Sequence, residues 1–160
     1  MPLADIKTRA AVFGATGFGL GYCPVASGTV GTLPGVLIAV LMAPLAVPAQ
    51  VVVAAALALA AIPLCDVAER HFGRKDDGRI VADEYLTFPL TLIGLPREPW
   101  VIAMAFVTAR AFDVIKPPPA RQLQRLPGGL GVVVDDVFSS LYSLAANWLL
   151  YWLAGRLLGR

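Results

Sequence analysis

A chain of 160 residues is one domain's worth of polypeptide and is expected to fold as a single unit over 1–160. Hydrophobic residues make up 58% of it and charged residues 15%, against roughly 45–50% and 25% in soluble domains. That imbalance excludes a free-standing soluble domain, and with two cysteines and no glycine period it also excludes disulfide-framework, collagen-like and disordered classes. The net charge of +2 comes from short charged segments between apolar runs, without a basic stripe interleaved with aromatics, so no nucleic-acid partner is expected.

In chain order, Lys7 and Arg9 precede a Gly/Pro-rich stretch over 14–35. It is too glycine-rich for a signal-peptide core, and Tyr22 is too large to precede a lipoprotein-type cleavage at Cys23. After Arg9 come 56 uncharged residues, ending at Asp66. Leu33–Val47 and Ala49–Cys65, split by Pro48, read as a helical hairpin. Ile80–Leu95 and Pro99–Ile115 read as a second hairpin around the turn Pro96-Arg97-Glu98-Pro99, short of two full spans. A Gly/Pro-rich loop over 117–131 leads to a last helix, Asp135–Leu158, with an interfacial aromatic group of Trp148, Tyr151 and Trp152. The expectation is an all-α integral membrane helical bundle of about five apolar helices, two hairpins plus a C-terminal helix. Arg70, Arg74, Lys75, Arg79, Arg110, Lys116, Arg121 and Arg125 fall on the same side as the N-terminus, which the positive-inside rule makes cytoplasmic. The side of Arg156 and Arg160 stays open.

This topology brings seven carboxylates to one membrane face: Asp66, Glu69, Asp83, Glu84, Asp113, Asp135 and Asp136. A single acid at a helix end is explained by capping, and Asp135 would suit an N-cap. Seven together repel one another unless a cation lies among them. Oxygen-only donors suit Mg²⁺, and one histidine (His71) with two distant cysteines suits zinc poorly. Asp66, Glu69, Asp83, Glu84, Asp135 and Asp136 are the candidate ligands, with Asp113 as ligand or base, while Asp76 and Asp77 read as solvated loop residues. Lys75, Arg110 and Lys116 are placed to meet anions, and Pro117, Pro118 and Pro119 fix where Lys116 points. The Gly28–Thr32 and Gly128–Gly131 segments read as glycine-rich turns before helices, offering Thr29, Gly31 and Gly129 to a phosphate.

The motifs resemble those of the phosphatidylglycerophosphatase A family from near Gly19 to about Leu144. Pro24 with Gly28-Thr29-Val30-Gly31 is similar to its PxxPGTxGS segment, and Asp66-Val67-Ala68-Glu69 to its DxAE. Lys75-Asp76 with Ile80–Glu84 is similar to KDP…IVxDE, Arg110–Pro117 to RxFDxxKPxP, and Gly128–Asp136 to GGxGxxxDD. Ser27, Asp77, Thr87, Ser139 and Ser140 depart from the pattern, and none removes a carboxylate. The resemblance implies a mainly helical, Mg²⁺-dependent lipid phosphatase of the bacterial inner membrane. Such an enzyme removes the terminal phosphate of phosphatidylglycerophosphate, a phospholipid substrate, to leave phosphatidylglycerol. Asp113, Asp136, Lys116 and Arg110 are then the catalytic candidates, with either a polarised water or an aspartate as nucleophile. Two alternatives remain open at this point: a CDP-alcohol-type lipid phosphotransferase, whose DxxDGxxAR signature is absent, and a non-enzymatic ion-binding membrane subunit. No obligate protein partner is evident, and the sequence leaves the oligomeric state open.

Overall fold

A computed structural model describes residues 5–157; Arg160 and the Leu158 end of the last apolar run lie outside the described residues. The described residues are all-helical: α1 Ile6–Ala15, α2 Ser27–Gly31, α3 Leu33–Leu41, α4 Val47–Phe72, α5 Ala82–Thr87, α6 Pro99–Ile115, α7 Ala120–Leu123 and α8 Gly128–Leu157. Short 3-10 turns occupy Leu20–Tyr22 and Phe88–Leu92. Two helices, α4 and α8, are long and apolar enough to cross a membrane, at 26 and 30 residues.

The helix pair α4/α8 forms the spine. The buried face of α4 carries Ala54, Ala58, Ala61, Cys65 and Ala68, a stripe of small side chains at helical spacing that lets a neighbouring backbone approach closely. At Gly129 the approach leaves no room for a side chain: a Cβ there would lie 2.2 Å from the Ile62 carbonyl oxygen. α6 packs along α8 on its other flank, and α5 with the 88–92 turn fills the space between α3, α4 and α8.

Three segments differ from the sequence expectation. Ile80–Leu95 is not a helical arm. It folds as α5 followed by the 3-10 turn, with Leu86, Phe88, Leu90 and Leu92 buried, because Pro89 removes an amide and Gly94 reverses the chain at φ 73°. The Gly28–Thr32 segment is helical rather than a loop. α8 starts at Gly128, so Asp135 and Asp136 lie two turns inside a helix and Asp135 is not an N-cap.

Away from the acids, the bundle is fixed by two polar knots. In the first, Asn147 Nδ2 donates to the Thr91 carbonyl at 3.0 Å, and Thr108 Oγ1 donates to Asn147 Oδ1 at 2.7 Å, also lying 2.7 Å from Ser143 Oγ. In the second, the Arg97 guanidinium donates to the carbonyls of Ala39 (3.0 Å), Leu92 (2.6 Å) and Leu95, and to Gln50 Oε1 (3.3 Å). Gln50 Oε1 also accepts from the Gly94 amide, and Trp148 Nε1 donates to the Ile93 carbonyl. Arg97 thus ties α3, α4 and the 88–95 turn together at the end opposite the acids. Arg97→Ala strips several carbonyls of a charged donor and is expected to cost about 2–4 kcal/mol. A clear fall in the thermal midpoint of the detergent-solubilised protein checks this, and an unchanged midpoint refutes it.

Candidate active site

The site lies where α2, α5, α6 and α8 meet, around a cavity of about 500 Å³. Asp83 and Glu84 reach it from the first turn of α5, Arg110 and Asp113 from the last turns of α6, Lys116 from just beyond α6, and Asp136 from α8. Asp76, Ser27, Gly28 and Thr29 complete the wall. A smaller cavity of about 20 Å³ shares Glu84, Arg110, Asp113 and Asp136 with it and adds Thr32, Thr87, Ser139 and Ser140.

Charges alternate through the site. Thr32 Oγ1 lies 2.9 Å from Glu84 Oε2, which accepts from Arg110 Nη1 at 2.5 Å. Arg110 Nη2 reaches Asp113 at 3.0 Å, Asp113 faces Lys116 Nζ at 3.7 Å, and Lys116 Nζ donates to Asp135 Oδ2 at 2.5 Å. Burial pushes the Glu84 carboxyl up to about 7 although Arg110 pulls it down. Burial, then the neighbouring Glu84 charge, pushes Asp83 well up. Burial works against the Lys116 charge, but its hydrogen bond to Asp135 together with the charges of Asp135, Asp136 and Asp113 outweighs it and holds the ammonium above its ordinary range. Lys116 takes a left-handed backbone conformation, φ 45°, unusual for a side chain of this kind.

Five carboxylates (Asp83, Glu84, Asp113, Asp135, Asp136) face two cations (Arg110, Lys116), so the site carries a formal surplus of three negative charges before any titration. Asp83 Oδ1 and Asp135 Oδ1 are buried without a hydrogen-bond partner. Asp136, 5% exposed, makes neither a hydrogen bond nor an ion pair among the described residues. Among the described residues no three such side chains converge as a ready-made cage. Surplus charge and orphaned hard oxygen donors nonetheless fit a hydrated divalent ion that takes one or two carboxylates.

The other candidates from the sequence sit apart. Asp66 pairs with Arg70 one turn on, beside Gly128, and Glu69 Oε1 accepts from the Asp76 amide at 2.7 Å; neither lines the cavity. Lys75 Nζ donates to the Gln124 and Leu126 carbonyls at 2.8 and 2.7 Å, clasping two loops together. Gly31 packs against Val81 and Gly129 against α4, so each serves close packing. Thr29 lines the cavity. Asp77 is buried, not solvated, and holds the Arg79 guanidinium through both oxygens at 2.7 and 2.9 Å. Asp76 is exposed, but it lines the cavity and accepts from Gln124 Nε2. Gly28 and Thr32, the ends of the segment expected to meet a phosphate, instead lie four apart on one turn and face Glu84 together, a spacing legible only once the segment is read as helix.

A family model described as Phosphatidylglycerophosphatase A matches residues 13–151. The chain belongs to the phosphatidylglycerophosphatase A family. It is 34% identical over 143 residues to the Phosphatidylglycerophosphatase A of Haemophilus influenzae, covering 87% of this chain and 88% of that one. To the protein of the same name from Escherichia coli it is 32% identical over 142 residues, covering 84% and 83%. A Bacteroides thetaiotaomicron protein provisionally named a phosphatidylinositol-3-phosphatase is 34% identical over 148 residues, covering 88% and 92%. No solved structure matches the chain. Phosphatidylglycerophosphatase A membership fits a site built on carboxylates and two cations.

A Cβ on Gly28 would lie 2.3 Å from Glu84 Oε1 and 3.0 Å from Arg110 Nη2. Gly28→Ala is therefore expected to push this pair aside and lower phosphatase turnover about 100-fold while the thermal midpoint changes little; wild-type turnover in the variant refutes the placement. Arg79 depresses the Asp77 carboxyl below its ordinary value. Its contribution to stability is therefore present above the unfolded carboxyl pKa and lost as pH falls through the folded one. The midpoint gap between wild type and Asp77→Asn is expected to be open at pH 7 and to close on acidification; a pH-independent gap contradicts the ion pair.

Proposed function

We propose that this protein removes the terminal phosphate of phosphatidylglycerophosphate, leaving phosphatidylglycerol, in a Mg²⁺-dependent reaction at the cytoplasmic face of the bacterial inner membrane. The observation that carries the reading is that residues from four of the five family motifs line one cavity, where buried carboxylates outnumber the cations beside them. Basic residues at the end of α4, on α7 and on the adjoining loops, Arg70, Arg74, Lys75, Arg121 and Arg125, support the cytoplasmic side. α4 and α8 cross the bilayer, and α3, α6 and the 82–92 segment are inserted beside them, giving five apolar segments of unequal depth.

Arg110 and Lys116 bind the phosphomonoester, exchanging their bonds to Glu84 and Asp135 for bonds to phosphate oxygens. Asp113, between the two cations, keeps both pointed at the substrate. Asp83, Asp135 and Asp136 would hold Mg²⁺, which when bound neutralises phosphate charge and polarises water. Asp66 and Glu69 stand behind these at the end of α4. A carboxylate with a raised pKa, Glu84 foremost, takes the proton from the attacking water. As the water oxygen bonds to phosphorus the bond to the glycerol oxygen breaks, and that oxygen takes up the proton held by Glu84 to leave as the alcohol.

The test is inorganic phosphate release from phosphatidylglycerophosphate in detergent micelles. Asp136→Asn and Glu84→Gln are expected to lower turnover at least about 100-fold, and chelation of Mg²⁺ to abolish it reversibly. Mg²⁺ is also expected to raise the thermal midpoint of the wild type but not of Asp136→Asn. Near-normal turnover in either variant, or an activity indifferent to chelation, overturns the assignment.

A further inference from the structure

The small cavity beside the charged site has room for one water. Its volume is about 20 Å³, and a polar void of roughly 10–15 Å³ admits a single water when two to four polar groups surround it. Glu84, Arg110, Asp113 and Asp136 line both this cavity and the large one, so the two chambers share a wall. The hydroxyls that complete the small cavity are bonded, with one exception. Thr32 Oγ1 lies between the Gly28 carbonyl (2.8 Å) and Glu84 Oε2 (2.9 Å). Thr87 Oγ1 donates to the Asp83 carbonyl at 2.6 Å, and Ser139 Oγ to the Phe112 carbonyl at 3.4 Å. Ser140, 6% exposed, has no side-chain hydrogen-bond partner among the described residues. It stands four residues beyond Asp136 on the same face of α8, and Asp136 also lacks a partner. Both side-chain bonds of Glu84 use Oε2, leaving Oε1 to the cavities. Phe88 and Ala109 close the remainder with apolar surface.

We propose that the small cavity seats the water that attacks phosphorus, and that the Ser140 hydroxyl orients it. The inference rests on the phosphatase reading above and locates its nucleophile. A water has two protons to give and two lone pairs, and the open groups match them. Asp136 and Glu84 Oε1 accept its protons, and Ser140 Oγ donates to one lone pair. The second lone pair is then free for the phosphorus that Arg110 and Lys116 hold in the large cavity. A carboxylate has two oxygens, so Asp136 can serve the ion and the water together. When the water oxygen bonds to phosphorus, one proton passes to Glu84 and the bond to the glycerol oxygen breaks; the proton ends on that oxygen. Phe88 and Ala109 offer the water no competing bond. Seating the nucleophile beforehand removes the entropic cost of capturing it from solvent at each turnover.

Three substitutions of Ser140 test it, read as kcat and KM for phosphate release from phosphatidylglycerophosphate by the detergent-solubilised protein. Ser140→Ala removes the orienting donor and is expected to lower kcat about tenfold, as for one lost hydrogen bond. KM and the Mg²⁺-induced rise in thermal midpoint are expected to stay at their wild-type values. Ser140→Gly makes room for a second water in place of the side chain and is expected to recover kcat to within about threefold of wild type. Ser140→Val fills the cavity and is expected to lower kcat at least about 100-fold. Ser143→Ala, three residues on in the Asn147 knot, is expected to lower the midpoint and leave kcat unchanged. A role in packing alone reverses the order, with Ser140→Ala above Ser140→Gly, because glycine is the poorer helix former. That order, wild-type kcat in Ser140→Ala, or a loss that falls on KM overturns the proposal. Loss of the Mg²⁺-induced rise in Ser140→Ala puts the ion rather than a water in the cavity and overturns it too. If Ser140→Val does not fold, the comparison of Ser140→Ala with Ser140→Gly decides. A wild type that releases no phosphate strikes the phosphatase reading and this inference with it, whereas an active wild type with indifferent Ser140 variants strikes this inference alone.

Discussion

Charge has to be neutralised where water is scarce, and in this protein that requirement organises the fold around the site. Glu84, Arg110, Asp113, Lys116 and Asp135 come from three separate segments and form one alternating line. Each cation lies between two carboxylates, so α5, α6 and α8 are bound to one another through buried ion pairs. Removing either partner of a buried pair leaves an uncompensated charge, so Glu84, Arg110, Asp113 and Lys116 both hold the segments together and line the cavity.

The line is incomplete by design of its chemistry. Asp83 and Asp136 lie beside it without a cationic partner, and Asp135 offers its bonded oxygen to Lys116 while the other is orphaned. A wholly neutralised cluster would have little affinity for a further cation. The surplus sits at the end of helices packed on α4's small-residue stripe, where like charges would be relieved by a further cation.

How much of this was legible in the sequence depends on what decides each element. α4 and α8 follow from long uncharged runs, and the gathering of acids at one end follows from their being expelled from those runs. The glycine-rich Gly28–Thr32 segment was not legible as helix, because glycine and threonine favour no helix on their own and its packing against Val81 and Glu84 decides the matter. The 80–95 segment looked like an arm because its composition is that of a buried element; Pro89 and Gly94 turn the same apolarity into a plug. Asp77 looked solvated from its neighbours in sequence, but a carboxylate two residues from an arginine can chelate it and be buried. Which cation meets which acid was likewise beyond the sequence, since it depends on the relative heights of α5, α6 and α8.

The Lys75 clasp joins two loops at the charged end of the molecule. The loop after α4 and the segment after α7 are joined through an ammonium holding two backbone carbonyls, and joined again by Gln124 to Asp76. Asp76 is itself part of the cavity wall. The two loops are therefore tied to each other by three hydrogen bonds, and through Asp76 the basic 121–125 edge is joined to the rim of the cavity.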